Sequence, residues 1–157
     1  MTQTLDLPYR KSAGLCIVSP TKMVLCGKRV GDKRQYWQMP QGGIDDGEDP
    51  KTAGLRELTE ETGIPATAVL YLTEHPLWLR YDWPPMASNK YAGQFKGQEQ
   101  KWLLLRYSGA LPNPALAKDV EFADIFWATP DMLLAHCAPF RHETYWAVFR
   151  HFRRHFW

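Results

Sequence analysis

The sequence predicts an α/β sandwich built around a mixed sheet. Three observations carry that reading: β-rich apolar runs stand before and after one sharply bounded central helix, a second helix with an apolar stripe closes the chain, and no repeat or linker divides it. At 157 residues with 45% hydrophobic content, the chain has enough apolar side chains for a real core, and we read 1–157 as one domain.

The elements follow in order. "SAGLCIVSP" (12–20) and "KMVLCGKRV" (22–30) are strand-like runs joined across Pro20-Thr21, which predicts a hairpin or close strand pair. Asp49 can cap a helix, Pro50 suits its first turn and Gly63 supplies a left-handed stop, so the pattern predicts a helix over Pro50 to Thr62. "TAVLYLT" (67–73), "KWLLLRY" (101–107) and "EFADIFWAT" (121–129) read as further strands. Between them, Glu74 to Gln100 has no clean period and predicts a long loop, with room for a short edge strand at Trp78 to Tyr81. After Pro139, Tyr145, Phe149, Phe152 and Phe156 follow helical spacing.

Composition narrows the setting. No apolar run approaches the roughly 18 residues a membrane helix needs, and Met1 to Lys11 is too polar for a signal peptide, so a cytoplasmic protein with no membrane partner is expected. Cys16, Cys26 and Cys137 form no CxxC pair and read as reduced, buried thiols. Charge is unevenly spread: from Ile44 to Glu61 seven acids face only Lys51 and Arg56, a local net of −5 in a chain of net +2. The rest of the chain is therefore strongly basic, an arrangement that suits cations gathered at one place and a polyanion around them.

On the predicted helix, at about 100° per residue, Glu61 falls near 40° and Glu60 near −60° from Glu57. The three carboxylates share one arc, while Leu55, Leu58 and Thr62 occupy the next and can pack on the sheet with the glutamates pointing outward. Like charges at these spacings repel by a few tenths of a kcal/mol per pair. Arg56 can offset this by pairing with Glu60 or Glu48, and so can a hard divalent ion, Mg²⁺ or Mn²⁺, since no Cys or His stands among the carboxylates. A solvated acidic helix face would show the same three residues.

The flanking residues add to this. Gly42, Glu48, Arg56, Glu57, Leu58, Glu60, Glu61, Gly63 and Ile64 match every defined position of G-x5-E-x7-R-E-U-x-E-E-x-G-U. On these residues the chain resembles the Nudix hydrolase superfamily. The resemblance implies a Nudix-type α/β/α sandwich with a loop-helix-loop catalytic motif that binds Mg²⁺ and hydrolyses a nucleoside diphosphate linked to a further group. Such a reaction is chemically sensible: metal ions neutralise phosphoanhydride oxygens and lower the pKa of a bound water, and one glutamate can take its proton. Gly42 and Gly43 would let the backbone come close to the helix.

Outside the box, "YWQMPQGGID", "WLRY", "GQEQKWLLLRY" and "EFADIFWAT" resemble the bacterial RNA pyrophosphohydrolases, also described as dinucleoside polyphosphate hydrolases. That resemblance implies removal of pyrophosphate from triphosphorylated RNA 5′ ends, or cleavage of diadenosine tetraphosphate to ATP and AMP, with no obligate protein partner. It assigns Glu57, Glu60, Glu61 and Glu121 to the metal, Arg10 and Arg29 to the 5′ phosphates, and Tyr81, Gln98 and Phe140 to the first bases. The charged loop after Arg29, with Asp32, Lys33 and Arg34, is longer than the pattern. A third reading, a silent RNA-binding module on the same fold, would not need four carboxylates. The closing "FRHFRRHFW" can bind RNA or an anionic membrane surface, or simply dock its phenylalanines and solvate its arginines.

Overall fold

Alternating side chains along three strands decide how the layers assemble. The computed structural model describes residues 6–85, 90–91 and 93–157. Part of the polar N-terminal stretch (1–5) and of the long loop (86–89 and 92) lies outside the described residues. Strand β1 (Tyr9–Val18) lies parallel to β7 (Gly97–Tyr107), with Tyr9 opposite Gly97 and Val18 opposite Arg106. The other pairings among the described residues are antiparallel. They involve β2 (Val24–Arg29), β3 (Trp37–Gln38), β4 (Gln41–Gly43), β5 (Val69–Glu74), β6 (Leu79–Asp82) and β8 (Phe122–Ala128). The central order is β3-β2-β1-β7-β5, with β4 on β1, β6 on β7 and β8 on β2.

Odd and even positions of the central strands face opposite layers, as the pleat requires. Leu15, Ile17, Leu25, Leu103 and Leu105 pack on α1 (Pro50–Thr62) through Leu58 and Ile64. Cys16, Val18, Val24, Cys26, Trp102 and Leu104 pack on α2 (Pro130–His136) through Leu133, and on α3 (Pro139–His151) through Tyr145, Val148 and Phe149. The result is the expected α/β/α sandwich. Full burial of a Leu or Ile is worth roughly 1.5–3 kcal/mol, so the apolar face of α1 outweighs the few tenths lost per glutamate pair on its other side.

The bounds of α1 agree with the sequence reading at both ends. Asp49 accepts from the Thr52 N–H at 2.8 Å, and Gly63, at φ +81°, returns its N–H to the Thr59 carbonyl at 2.9 Å. The hairpin also forms, with Val18 opposite Val24, and the edge strand is present as β6. Strand β7 begins at Gly97 rather than at Lys101, because its early polar residues pair with β1. Three elements are not expected from the sequence: β3, β4 and α2. The two strands are too short to show a period. Helix α2 carries a readable start, Thr129-Pro130, with Thr129 capping the Met132 N–H at 3.2 Å. The aromatic stripe docks as expected, with Tyr145, Phe149, Phe152 and Phe156 buried and Arg150, Arg153 and Arg154 exposed. Among the described residues no helix is long and apolar enough to cross a membrane.

Tyr145 does more than fill space, because its hydroxyl accepts from the buried Met39 N–H at 3.0 Å and ties α3 to the turn between β3 and β4. Tyr145→Phe keeps the ring but leaves that N–H without a partner. We expect about 1–3 kcal/mol lost in chemical denaturation, the usual cost of a buried unpaired donor. An unchanged denaturation midpoint would show that the turn holds without this bond.

Candidate active site

Strand β4 brings the glycines to the acidic helix. Gln41, Gly42 and Gly43 pair with Gly14, Ala13 and Ser12 of β1, so β4 is fixed to the sheet while α1 packs beside it. A Cβ on Gly42 would collide with the Glu57 carboxyl group, and one on Gly43 would collide with the Arg10 guanidinium. Both glycines are required by close approach.

Arg56 organises the acidic cluster. Its Nε and Nη2 grip Glu48 in a two-pronged pair at 2.9 Å each, and its Nη1 donates to Glu57 at 2.9 Å and to Glu60 at 3.1 Å. Nη2 also donates to the Gly43 carbonyl at 3.0 Å, and Asp45 lies 3.6 Å away. Both partners expected from the sequence are present, together with a backbone contact that spacing could not show. Arg56 holds the Glu48 carboxyl down at about 2, helped by the Asp45 N–H.

The remaining carboxylates face a different environment. Glu61 does not point outward as the helical wheel suggests; it is 5% exposed, because it shares the buried arc of Leu58 and Thr62 where α1 packs on β1 and β4. Burial pushes its carboxyl well above the usual range, Glu121 and Glu57 push it further, and only the Gln41 N–H and the more distant Arg29 act the other way. Glu57 is also raised, first by burial, against the pull of Arg56. Glu121 reaches this group from the start of β8, where its N–H bonds Asp119, and the Asp119 N–H bonds the Glu60 carbonyl at 2.9 Å. Arg29 pairs with Glu121 at 3.5 Å.

These residues suit a hard divalent cation. The donors are all carboxylate oxygens, Glu61 is buried in the field of two other acids, and Gly42 keeps the backbone clear of Glu57. They do not close into a ready-made cage: among the described residues no three acids, histidines or cysteines meet as a metal-holding group, since Arg56 engages Glu57 and Glu60 while Arg29 engages Glu121.

The rim differs from the sequence expectation. Arg10 lies with its guanidinium 4.0 Å from the centre of the Tyr91 ring, against Gly43. Tyr81 and Gln98, expected near bases, are both buried. The Tyr81 hydroxyl accepts from Arg141 at 3.0 Å, and the Gln98 carbonyl accepts from Ser12 at 2.9 Å and Gln100 at 3.1 Å. Phe140 keeps part of its ring open, 5.4 Å from that of Tyr81. In the loop after Arg29, the Asp32 carboxylate closes a turn by accepting from the Arg34 and Tyr36 N–H groups, leaving Lys33 and Arg34 exposed.

The family model described as the NUDIX domain matches residues 8–149. The chain belongs to the Nudix family. Among its relatives, the RNA pyrophosphohydrolase of Cereibacter sphaeroides is 39% identical over 160 residues, covering 99% of both chains. That of Novosphingobium aromaticivorans is 43% identical over 151 residues, 94% of both. The solved Escherichia coli dihydroneopterin triphosphate pyrophosphohydrolase superposes with a TM-score of 0.70 over 88% of this chain and 94% of its own, at 18% identity, a likeness of fold. Nudix hydrolases generally use divalent metal ions, in keeping with the donor set around Glu61.

One residue of this Nudix site is absent from the sequence expectations. Arg141, at 9% exposure, has no carboxylate partner among the described residues; it donates to Gln41 at 3.2 Å and to Tyr81. The signal was its place beside Phe140, four residues before Tyr145 on the apolar stripe of a helix.

Glu61 costs stability when no cation is bound. Its carboxyl holds a proton more tightly folded than unfolded, so its contribution is fully present below its ordinary pKa of 4.5 and is lost as pH rises through the higher folded value. Glu61→Gln removes that loss. In chelator at pH 8 the variant is expected to melt above wild type, with the gap closing near pH 4. A variant that melts lower at pH 8 would show that other contacts already compensate the charge.

Proposed function

We propose that this Nudix hydrolase removes pyrophosphate from the 5′-triphosphate end of RNA. Identity of 39–43% over nearly the whole length of chains named RNA pyrophosphohydrolase carries the reading. In the reaction water adds to a phosphorus, one phosphoanhydride bond breaks, and 5′-monophosphate RNA and pyrophosphate leave. The 8–149 match and the two cores along shared strands support 1–157 as one domain. Such RNA ends are cytoplasmic substrates, a setting that the free, buried Cys16, Cys26 and Cys137 support.

Glu57, Glu60, Glu61 and Glu121 would hold the cation, which we read as Mg²⁺ with Mn²⁺ as substitute. When bound it supplies charge neutralisation at the phosphate oxygens and a more acidic water. The chain supplies the rest. Arg56 fixes α1 against β4 so that the carboxylates keep their spacing. Arg29, held at Glu121, stands where it can shift to a phosphate oxygen, and Arg10 offers its guanidinium beside Gly43. Phe140 presents the open aromatic face for the first bases, while Tyr81 and Gln98 act beneath it, holding Arg141 and β1 in place.

A competition tests the substrate. With Mg²⁺ present, kcat/KM for triphosphorylated RNA should exceed that for diadenosine tetraphosphate, which has the same phosphoanhydride but no chain beyond its two nucleosides; the reverse order would make the dinucleotide the substrate. Glu60→Gln should lower turnover by at least about 100-fold with the fold intact, on the scale of losing an electrostatic catalytic group. Near-normal turnover would take Glu60 out of the site.

Phe140→Ala should lower kcat/KM on RNA by roughly 5- to 150-fold, the scale of one base stacking on an aromatic ring, and affect the dinucleotide less. Equal losses on both substrates, with a lower melting temperature, would mean that the ring is packing.

A further inference from the structure

The closing helix buries one aromatic stripe and leaves two tryptophans outside it. Trp146 and Trp157 are 49% and 50% exposed, although Tyr145, Phe149, Phe152 and Phe156 already supply the docking face. With Asp131, Arg150 and Arg153 they line an open cleft of about 380 Å³ on the outer side of α3. Neither arginine is ion-paired among the described residues, and the segment from Arg150 to His155 contains three arginines and no acid. Large aromatic surface and unneutralised guanidinium groups therefore occur together, outside the catalytic group described above.

We propose that this cleft is a second RNA subsite, which stacks a base of the transcript downstream of its 5′ end while Arg150 and Arg153 hold the adjoining phosphates. The proposal rests on RNA as the substrate. An aromatic face stacks any base, and arginine adds charge and a flat surface of its own. Asp131 is the one acidic side chain in the lining; it repels phosphate and accepts from a base N–H, which orients the base inward and the backbone toward the arginines. Charge complementarity selects a polyanion over an apolar protein partner, which would leave both arginines desolvated and unpaired. Placement agrees. Helix α3 opens with Phe140 at the proposed 5′ base position, and at 1.5 Å per residue Trp146 and Arg150 lie about 9 and 15 Å further along its axis. Around the helix they stand roughly 120° and 80° from Phe140, so a strand that leaves Phe140 and winds part of the way around α3 meets the cleft.

The test uses the full chain and two double variants, Trp146→Ala with Trp157→Ala and Arg150→Gln with Arg153→Gln, in each case at exposed positions. Binding of a labelled 5′-hydroxyl RNA of roughly 16 nucleotides, long enough for a groove site, is followed by anisotropy. Both variants should bind at least about fivefold more weakly, and Trp146→Phe with Trp157→Phe should recover most of the loss. For triphosphorylated RNA of that length KM should rise by a similar factor with kcat unchanged, whereas a triphosphorylated dinucleotide should be cleaved as by wild type. Equal binding by wild type and both double variants overturns the proposal. So does a loss of binding to anionic phosphatidylglycerol vesicles with RNA binding intact, which would assign the cleft to a membrane surface. Wild type that binds the 5′-hydroxyl RNA through the cleft but cleaves no triphosphorylated RNA would defeat the proposed activity and leave the subsite standing. Cleavage with no effect of either variant would do the opposite.

Discussion

One guanidinium holds this site together. The five N–H donors of Arg56 match five acceptor contacts: two at Glu48 and one each at Glu57, Glu60 and the Gly43 carbonyl. The geometry explains why lysine could not replace it, since an ammonium group has three donors and no planar fork to span two carboxylate oxygens. It also explains how a helix can carry three glutamates on one side. The acids are not left to repel one another; two of them share one cation, which is itself anchored to the backbone of β4. The loop, the helix and the strand are thereby a single unit, and removing Arg56 would release all three.

Glu61 stands apart from that arrangement. It is the one glutamate of the helix that Arg56 does not reach, and it is also the most buried. A charge taken out of water without an ion-pair partner is costly, and folds keep such groups only where something else offsets the cost. In this family the compensating charge arrives with a divalent ion. The free protein is therefore strained electrostatically at one point, where Glu57 and Glu121, although paired with Arg56 and Arg29, still push on the buried Glu61. That division separates the ion-paired Glu48 and Arg56, which hold the loop to the helix, from Glu61 and Glu121, to which the proposed function assigns the cation.

Much of this is legible in the sequence, and the exceptions have a common physical cause. Local signals are reliable: Asp49, Pro50 and Gly63 bound α1 because capping acts through neighbouring backbone groups. Spacing also gives Arg56 two of its side-chain partners, Glu48 and Glu60. Orientation relative to the sheet is what the sequence hides. A helical wheel places Glu61 near Glu57 but cannot say which arc the sheet covers, so a buried acid reads as an outward one. The burial of Tyr81 and Gln98 is hidden for the same reason; it is set only when β6 and β7 pair, with Tyr81 opposite Gln98. Strand β4 is three residues long, too short for any period, although its two glycines are visible.

The two faces of the sheet divide the work, and β4 is where they meet. The acids come from α1 on one side, and Phe140 and Arg141 come from α3 on the other. Gln41 joins them: its backbone N–H lowers the raised pKa of Glu61, while its side-chain carbonyl accepts from Arg141 and from Gln100. A shift of α3 relative to the sheet would reach Glu61 through one residue. The Tyr145 bond to Met39, two residues before Gln41, limits that shift from the same helix. On the proposed reading, a base held along α3 and a phosphate held along α1 would be linked through Gln41, which gives a reason for the polar chain of Gln98, Gln100, Gln41 and Arg141 to occupy positions where apolar side chains would pack at lower cost.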